Sequence, residues 1–220
     1  MIGTKAYVGD GAAARLTDLP AAEAERVSLR SDGQRALLLR RVRLCTRQPC
    51  VRYGYTGAIV DWQSGRSYER PMYVADADWL ASAQLVAISG HNTRLLLTLP
   101  ASGCCGRVFF ADDAWIFLTL SVSPDGETVA VSAIRASGSG AYILLVSRGT
   151  KEVRLLRPLR RRPPFPYHYT PQWSPDGRWL VLVERRPGDE TSILAVARAV
   201  PDAPVKALGV AGSSPTWGER

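Results

Sequence analysis

The sequence has 220 residues, of which 46% are hydrophobic and 22% charged, as in a globular protein with one sizeable core. Its apolar residues form short runs broken by charges, Gly or Pro, which excludes a membrane span of roughly 18 uncharged residues. Arginine supplies almost all of the net charge of +8. Because no RNP-like motif, helix-turn-helix or zinc knuckle accompanies it, the charge favours an arginine-rich composition over a nucleic-acid partner.

Residues 1–20 read as two short strands joined by a turn. Gly9, Gly11 and Ala14 give that turn the G-x-G-x-x-A spacing with which dinucleotide-binding proteins hold a pyrophosphate. Pro20 interrupts the helix that such a site needs, and no alternation of strands and helices follows. The sequence therefore predicts a strand-to-strand turn here and no cofactor.

A repeated turn divides the rest of the chain into units. Residues 123–126 and 174–177 both read SPDG, and residues 31–33 read SDG. Pro sets the backbone for a tight turn, Asp accepts hydrogen bonds from nearby N–H groups, and Gly takes the positive φ that other residues resist. The spacing from the SDG motif to the first SPDG motif is about twice the spacing between the two SPDG motifs, which is on the order of 50 residues. A unit without the motif is therefore expected near 76–112.

The segments between the turns have the periodicity of strands. WIFLTLSV, TVAVSAIR, AYILLVS and VRLLRPL surround the turn at 123–126, and residues 170–208 repeat this pattern. Short strands separated by Gly, Pro and Asp turns, with no helical segment between them, predict an all-β protein. A single four-stranded sheet is marginal alone, so we expect such sheets to stack on one another, as in a β-propeller.

The strings QWSPDGRWLVLV and SVSPDGETVAVSA resemble the repeats of TolB-like, WD-repeat-like β-propellers. The resemblance implies an all-β propeller of four-stranded antiparallel blades, in which SPDG is a structural turn, and a tendency to bind proteins or peptides. It implies one domain over residues 1–220, with full blades at about 27–75, 76–112, 115–160 and 169–210. Residues 1–20 and 213–220 read as parts of a partial blade, which either closes a five-bladed ring or belongs to a fragment of a six-bladed one.

No arrangement of side chains in the sequence indicates catalysis, so we expect a protein that is not an enzyme. Neither of the two histidines has the spacing of a metal ligand. Asp76 with Asp78, and Asp112 with Asp113, are compatible with Ca²⁺. Turns between strands collect Asp for hydrogen-bonding reasons, however, and we expect no metal at either pair.

The cysteines leave the redox compartment open. Cys45 and Cys50 bracket a short loop, compatible either with a disulfide, which would imply an oxidising compartment, or with two reduced thiols. Adjacent Cys104 and Cys105 would lie on opposite faces of a strand, which favours two inert thiols. The start of the sequence lacks an apolar secretory region, so we expect a cytoplasmic protein, or an extracytoplasmic one if the natural N-terminus lies upstream.

Residues 157–171, RPLRRRPPFPYHYTP, form the most distinctive stretch outside the repeats. Its prolines disfavour regular strand pairing, so we expect it to lie outside the sheets. Arginine and tyrosine dominate binding hot spots. The candidate partner-binding residues are Arg160, Arg161, Arg162, Phe165, Tyr167 and Tyr169. The alternative interpretation is a linker between blades whose aromatic residues pack on the rim.

The leading hypothesis is a non-enzymatic scaffold that binds a protein, peptide or cell-envelope component through its loop-bearing face or central channel. The alternative is an accessory propeller domain of a larger serine hydrolase or peptidase. Its catalytic domain would lie outside this chain, which contains no G-x-S-x-G motif. A third, weaker hypothesis is a propeller enzyme assisted by a small ligand or metal, and the oligomeric state is left open.

Overall fold

The computed structural model describes residues 5–8, 15–18, 26–29, 35–43, 53–61, 67–80, 84–89, 93–98, 107–138, 140–156, 167–185, 192–212 and 217. The described residues form strands and turns and contain no helix. It follows that none of them belongs to a helix with the length and apolar character needed to cross a membrane. The strands are β1 (Lys5–Val8), β2 (Arg15–Asp18), β3 (Arg26–Leu29), β4 (Arg35–Arg43), β5 (Tyr53–Asp61), β6 (Ser67–Leu80), β7 (Gln84–Ser89), β8 (Arg94–Thr98), β9 (Arg107–Ala111), β10 (Trp115–Val122), β11 (Thr128–Arg135), β12 (Ala141–Ser147), β13 (Val153–Leu155), β14 (Tyr167–Trp173), β15 (Trp179–Arg185), β16 (Ser192–Arg198) and β17 (Lys206–Ala211).

Within each sheet, the strands pair antiparallel with their neighbours in sequence. β1 and β2 form a hairpin, β3 to β9 form a seven-stranded sheet, and β10–β13 and β14–β17 form two four-stranded sheets. The all-β prediction is confirmed. The β1–β2 pair also agrees with the strand-to-strand interpretation of residues 1–20, although the turn itself lies outside the described residues.

Strand β6 joins two four-stranded units into the seven-stranded sheet. Its N-terminal part, up to Arg70, pairs with β5, and its C-terminal part, from Asp76, pairs with β7. Val74 pairs with both neighbours. We therefore distinguish a first sheet (β3 to the start of β6), a second (the end of β6 to β9), a third (β10–β13) and a fourth (β14–β17). The exact blade limits and the single-domain assignment stay predictions.

The sheets stack face to face, which is why central strands of the third sheet are apolar on both sides. In β12, Leu144 and Val146 pack in a core shared with the second sheet. Ile143 and Leu145, on the opposite face, pack in a core shared with the fourth sheet. Because side chains alternate along a strand, a nearly continuous apolar run covers both faces. Burial against two neighbours supplies the stability that one such sheet lacks.

Candidate binding surfaces

The SPDG turn between β10 and β11 is held by its own side chains. Ser123 Oγ donates to Asp125 Oδ1 at 2.5 Å and accepts the Thr128 N–H at 2.9 Å. Asp125 Oδ1 also accepts the Glu127 N–H at 3.0 Å, and Gly126 has a φ of 73°. The hydroxyl of Ser123, followed by the N–H of Glu127, holds the pKa of Asp125 below its usual value. The carboxylate is therefore a structural group.

The turn between β14 and β15 repeats these bonds. Ser174 Oγ donates to Asp176 Oδ1 at 2.5 Å, and the N–H groups of Arg178 and Trp179 are bonded as in the first turn. Arg178 Nε adds a bond to Asp176 Oδ2 at 2.7 Å. The Ser174 hydroxyl and then Arg178 lower the pKa of Asp176 far below its usual value. The sequence repeat is thus also a repeat of hydrogen bonds.

Each sheet begins with an edge strand, which we call its leading strand: β3, the C-terminal part of β6, β10 and β14. Trp79 and Trp173 tie successive leading strands together, and Trp217, which lies outside the strands, bonds to the last leading strand. Each indole Nε1–H donates to a backbone carbonyl of the preceding leading strand: Trp79 to Ser28 at 3.0 Å, Trp173 to Ser121 at 3.1 Å, and Trp217 to Gln172 at 3.3 Å. Edge backbone groups that would otherwise lack a strand partner are thereby satisfied.

Between the second and third sheets, carboxylates instead of an indole bond the backbone of the neighbouring leading strand. Val122 occupies the position, directly before the serine of the turn, that Trp173 occupies in the fourth sheet. Asp76 Oδ2 accepts the Leu120 N–H at 2.8 Å, and Asp78 Oδ2 accepts the Val122 N–H at 2.9 Å. Asp78 Oδ1 also accepts the hydroxyl of Ser28. The assignment of Asp76 and Asp78 to a turn is therefore wrong. They lie two residues apart in β6, so strand alternation aims both at the next leading strand.

Asp112 and Asp113 lie, as expected, in the turn between β9 and β10. Asp112 Oδ1 accepts the Ala114 N–H at 2.9 Å, the local hydrogen bond that explains why such turns collect Asp. Across the described ranges, no three His, Cys, Asp or Glu side chains cluster closely enough to hold a metal ion.

Most of the candidate partner-binding residues lie outside the described part of the chain and stay predictions: Arg160, Arg161, Arg162 and Phe165. Tyr167 and Tyr169 lie in β14 and pair with β15. The expectation that all of residues 157–171 lie outside the sheets is therefore wrong for 167–171. Pro171 fits in the strand because it falls at the register shift before Gln172, where its missing N–H is tolerated.

The four cysteines also lie outside the described residues, as does His91. Neither the proposed disulfide of Cys45 and Cys50 nor the reduced state of Cys104 and Cys105 is therefore tested.

An arginine stacked on aromatic rings lies at the other end of the third sheet from the SPDG turn. The Arg135 guanidinium carbon is 4.5 Å from the Trp115 ring centroid and 5.9 Å from that of Tyr142. The two rings meet edge to face at 5.3 Å. Sequence reasoning missed this group, but hairpin pairing signals it, because Trp115 lies opposite Arg135 in the β10–β11 register.

Comparison with known proteins gives structural neighbours only. No family model matches the sequence, and no curated protein matches it. TolB from Acinetobacter baumannii is similar with a TM-score of 0.59 and 16% identity, covering 91% of this chain and 49% of TolB. The β-propeller domain of Cps50 (Swd1) from Myceliophteria thermophila has a TM-score of 0.55 and 12% identity, covering 83% of this chain and 58% of that one. An oligogalacturonate lyase has a TM-score of 0.54 and 14% identity, covering 78% of this chain and 49% of the lyase.

The chain therefore has the fold of TolB-like, WD-repeat-like β-propellers, as its repeated turn predicts. It spans about half the length of the chains that it resembles. At these identities the likeness shows the fold alone.

Proposed function

We propose that this chain, which has a TolB-like, WD-repeat-like β-propeller fold, is a non-enzymatic scaffold that binds a protein, peptide or cell-envelope component. The hydrogen bonds of four aspartates support a structural rather than a catalytic role for these side chains. Asp76 and Asp78 accept backbone N–H groups of the next sheet. Asp125 and Asp176 are fixed in turns, and their lowered pKa values keep them ionised near neutral pH, so they are poor proton donors.

The observation that carries the proposal is the bonding of the leading strands. A propeller can receive a partner in its central channel or on a face that bears loops. Backbone groups of Ser28, Leu120, Ser121, Val122 and Gln172 are already bonded to side chains of neighbouring sheets or segments. A partner strand would have to break these bonds to pair there, which favours binding through the connections between strands.

The connection between β13 and β14 is the best candidate among them. It lies between Leu155 and Tyr167, joins the third sheet to the leading strand of the fourth, and includes Arg160–Arg162 in its sequence. Arginine offers charge and planar hydrogen bonding, and aromatic residues add apolar contact area. Together these residues fit a partner with an acidic, partly apolar surface.

The test replaces Arg160, Arg161 and Arg162 together by Ser. The immobilised wild-type chain is exposed to lysate, each protein that it retains over a bare support is purified, and the affinity of that protein for the wild type and for the variant is measured. We expect the variant to bind such a partner more weakly, with a melting temperature within a degree or two of the wild type, because surface changes seldom exceed about 0.5 kcal/mol.

Arg148→Ser is the matched control, because it removes an arginine that is already paired with Glu127 at 3.6 Å. The control should retain the partner. If the triple variant binds every purified partner as tightly as the wild type, residues 160–162 belong to a linker.

A further inference from the structure

The side chain of Lys151 connects the third sheet to the outer strand of the second. Lys151 lies at the turn between β12 and β13, and its Nζ is 3.7 Å from the ring centroid of Phe109 in β9. The same ammonium group donates to the carbonyl of Arg148 at 2.6 Å. Because an ammonium group has three N–H donors, these two contacts fix its position and leave donor capacity for a ligand.

The backbone of Lys151 has a left-handed conformation, with a φ of 61°. Its N–H donates to the Ser147 carbonyl at 3.0 Å, as the turn requires. Glycine adopts this conformation without strain, and asparagine tolerates it better than lysine does. A lysine at such a position points to a role for its side chain rather than for its backbone.

Arg107, the first residue of β9, lies on the face of the second sheet that packs against the third. In the β8–β9 register it is opposite position 97, two residues along β8 from Leu95. Leu95 belongs to the core that the second and third sheets share. Side chains alternate along a strand, and directly paired residues share a face, so Arg107 is directed toward the third sheet, where Lys151 lies. Arg107 is exposed and Lys151 is half-buried.

The two cations are close enough for each to affect the other. Burial, followed by the positive charges of Arg107 and Arg148, lowers the pKa of Lys151 below its usual value. Among the described residues, no carboxylate forms an ion pair with Arg107 or Lys151. The carboxylates of the two adjoining turns are engaged elsewhere: Asp125 with Ser123, Glu127 with Arg148, and Glu152 with Arg154.

We propose that Arg107 and Lys151, which we call the cation pair, bind a phosphoryl group, carried either by free phosphate or by a phosphorylated side chain of a partner protein. A phosphoryl group has a charge of about −1.5 to −2 near neutral pH and three acceptor oxygens, which match two cations that converge on one place. A carboxylate has a single negative charge and would leave one cation uncompensated. The site goes beyond the proposed function, because it is separate from residues 160–162.

The test observes Lys151 directly. Lysine occurs only at Lys5, Lys151 and Lys206, so a chain with ¹³C-labelled lysine gives three side-chain signals by nuclear magnetic resonance. Sodium phosphate is added at about pH 7.5, where it is mostly doubly charged, and sodium chloride keeps the ionic strength constant. We expect a saturable shift of the Lys151 signal and none at exposed Lys206, the internal control. The pKa of Lys151 should rise in phosphate, because a nearby anion favours the charged ammonium.

The variant Arg107→Gln removes one member of the cation pair and keeps the Lys151 signal. We expect it to weaken phosphate binding about two- to fivefold, as for an exposed ion pair. The matched control is Arg198→Gln, which removes another exposed arginine that contacts an aromatic ring, that of Trp179 at 5.7 Å. The control should bind phosphate as tightly as the wild type.

A short phosphoserine peptide, and the same peptide with Glu in place of phosphoserine, distinguish the sources of the anion. Tighter binding of the phosphopeptide than of phosphate supports a phosphorylated partner, and the reverse supports free phosphate. The proposal is overturned if neither phosphate nor the phosphopeptide gives a saturable Lys151 shift, if Lys206 shifts equally, if Arg107→Gln and Arg198→Gln bind alike, or if the Glu peptide binds as tightly as the phosphopeptide. These probes do not depend on a partner from lysate, so failure here leaves the test of residues 160–162 unaffected.

Discussion

The junction between the second and third sheets and the junction between the third and fourth satisfy edge backbone groups by opposite chemistry. At the former, Asp76 and Asp78 accept N–H groups of β10. At the latter, Trp173 donates to a carbonyl of β10, that of Ser121. In strand β10, backbone N–H groups are therefore bonded by the second sheet, and a backbone carbonyl is bonded by the fourth sheet.

The comparison shows that the backbone groups of a leading strand need a hydrogen-bonding side chain from the neighbouring sheet. That side chain can be either a carboxylate or an indole. The two solutions differ in their dependence on burial. Asp76 is 2% exposed, so its charge is stabilised by the N–H groups that it accepts, whereas an indole carries no charge. Substitution at the carboxylate junction should therefore lower the stability more than substitution at the indole junction.

The largest effect is expected from Asp76→Ala. The change leaves the Leu120 N–H without its carboxylate acceptor in a buried place, which should lower the free energy of unfolding by about 2 to 3 kcal/mol. Urea denaturation followed by circular dichroism measures this loss. Asp112→Ala, at an exposed turn, serves as the control and should cost under about 1 kcal/mol. Equal losses in the two variants would contradict a special role for the carboxylate junction.

A smaller effect is expected from Trp173→Phe, which keeps an aromatic ring but removes the Nε1–H that Ser121 accepts. We expect a loss of about 1 kcal/mol, the usual net value of a neutral hydrogen bond. The same urea assay applies, and Trp79→Phe should give a similar result at the junction of the first two sheets. A loss as large as that of Asp76→Ala would remove the distinction between the two kinds of junction.

The two SPDG turns provide a contrast with the junctions, because their hydrogen bonds lie within one sheet and do not join two sheets. Asp125→Ala should cost about 1 kcal/mol, as loss of a capping side chain does, and Asp176→Ala should lower the stability in the same direction. Calorimetric melting measures the loss, and the affinity of the folded variants for a partner should not change. A variant that loses binding at full stability would show that its aspartate contacts the partner.

The smallest effect is a pH dependence of the turn variants. The pKa values of Asp125 and Asp176 are lowered in the folded chain, so their contribution is present above the unfolded value of about 3.9 and is lost as pH falls through the folded values. The stability difference between wild type and Asp176→Ala should therefore be larger at neutral pH than at about pH 3. A difference that grows on acidification would have the wrong sign.

Short-range patterns of the sequence predict the strands and turns, because residues close in the chain determine them. The Ser123–Asp125 turn and the strands β10–β13 follow from local spacing alone. The junction bonds join residues far apart in sequence, 44 positions for Asp76 with Leu120 and 52 for Trp173 with Ser121. Predicting them requires the alignment of one sheet on the next, which hydrophobic periodicity does not contain.

One signal in the sequence does point to the junctions. Trp173 directly precedes the serine of its SPDG turn, and Trp79 is the last residue but one of β6, just before the connection that replaces the turn in the second sheet. The recurrence of Trp at one position of the repeat indicates a repeated contact.

Strand β6 also affects how the protein unfolds locally. Its Ser67–Leu80 backbone is a single strand that belongs to both the first and the second sheet, with Val74 paired on both sides. Neither sheet can open completely without breaking hydrogen bonds along this shared strand. The amide protons of β5 and β7 should therefore exchange with solvent in one cooperative opening, whereas the third and fourth sheets, each with its own four strands, can open in separate events.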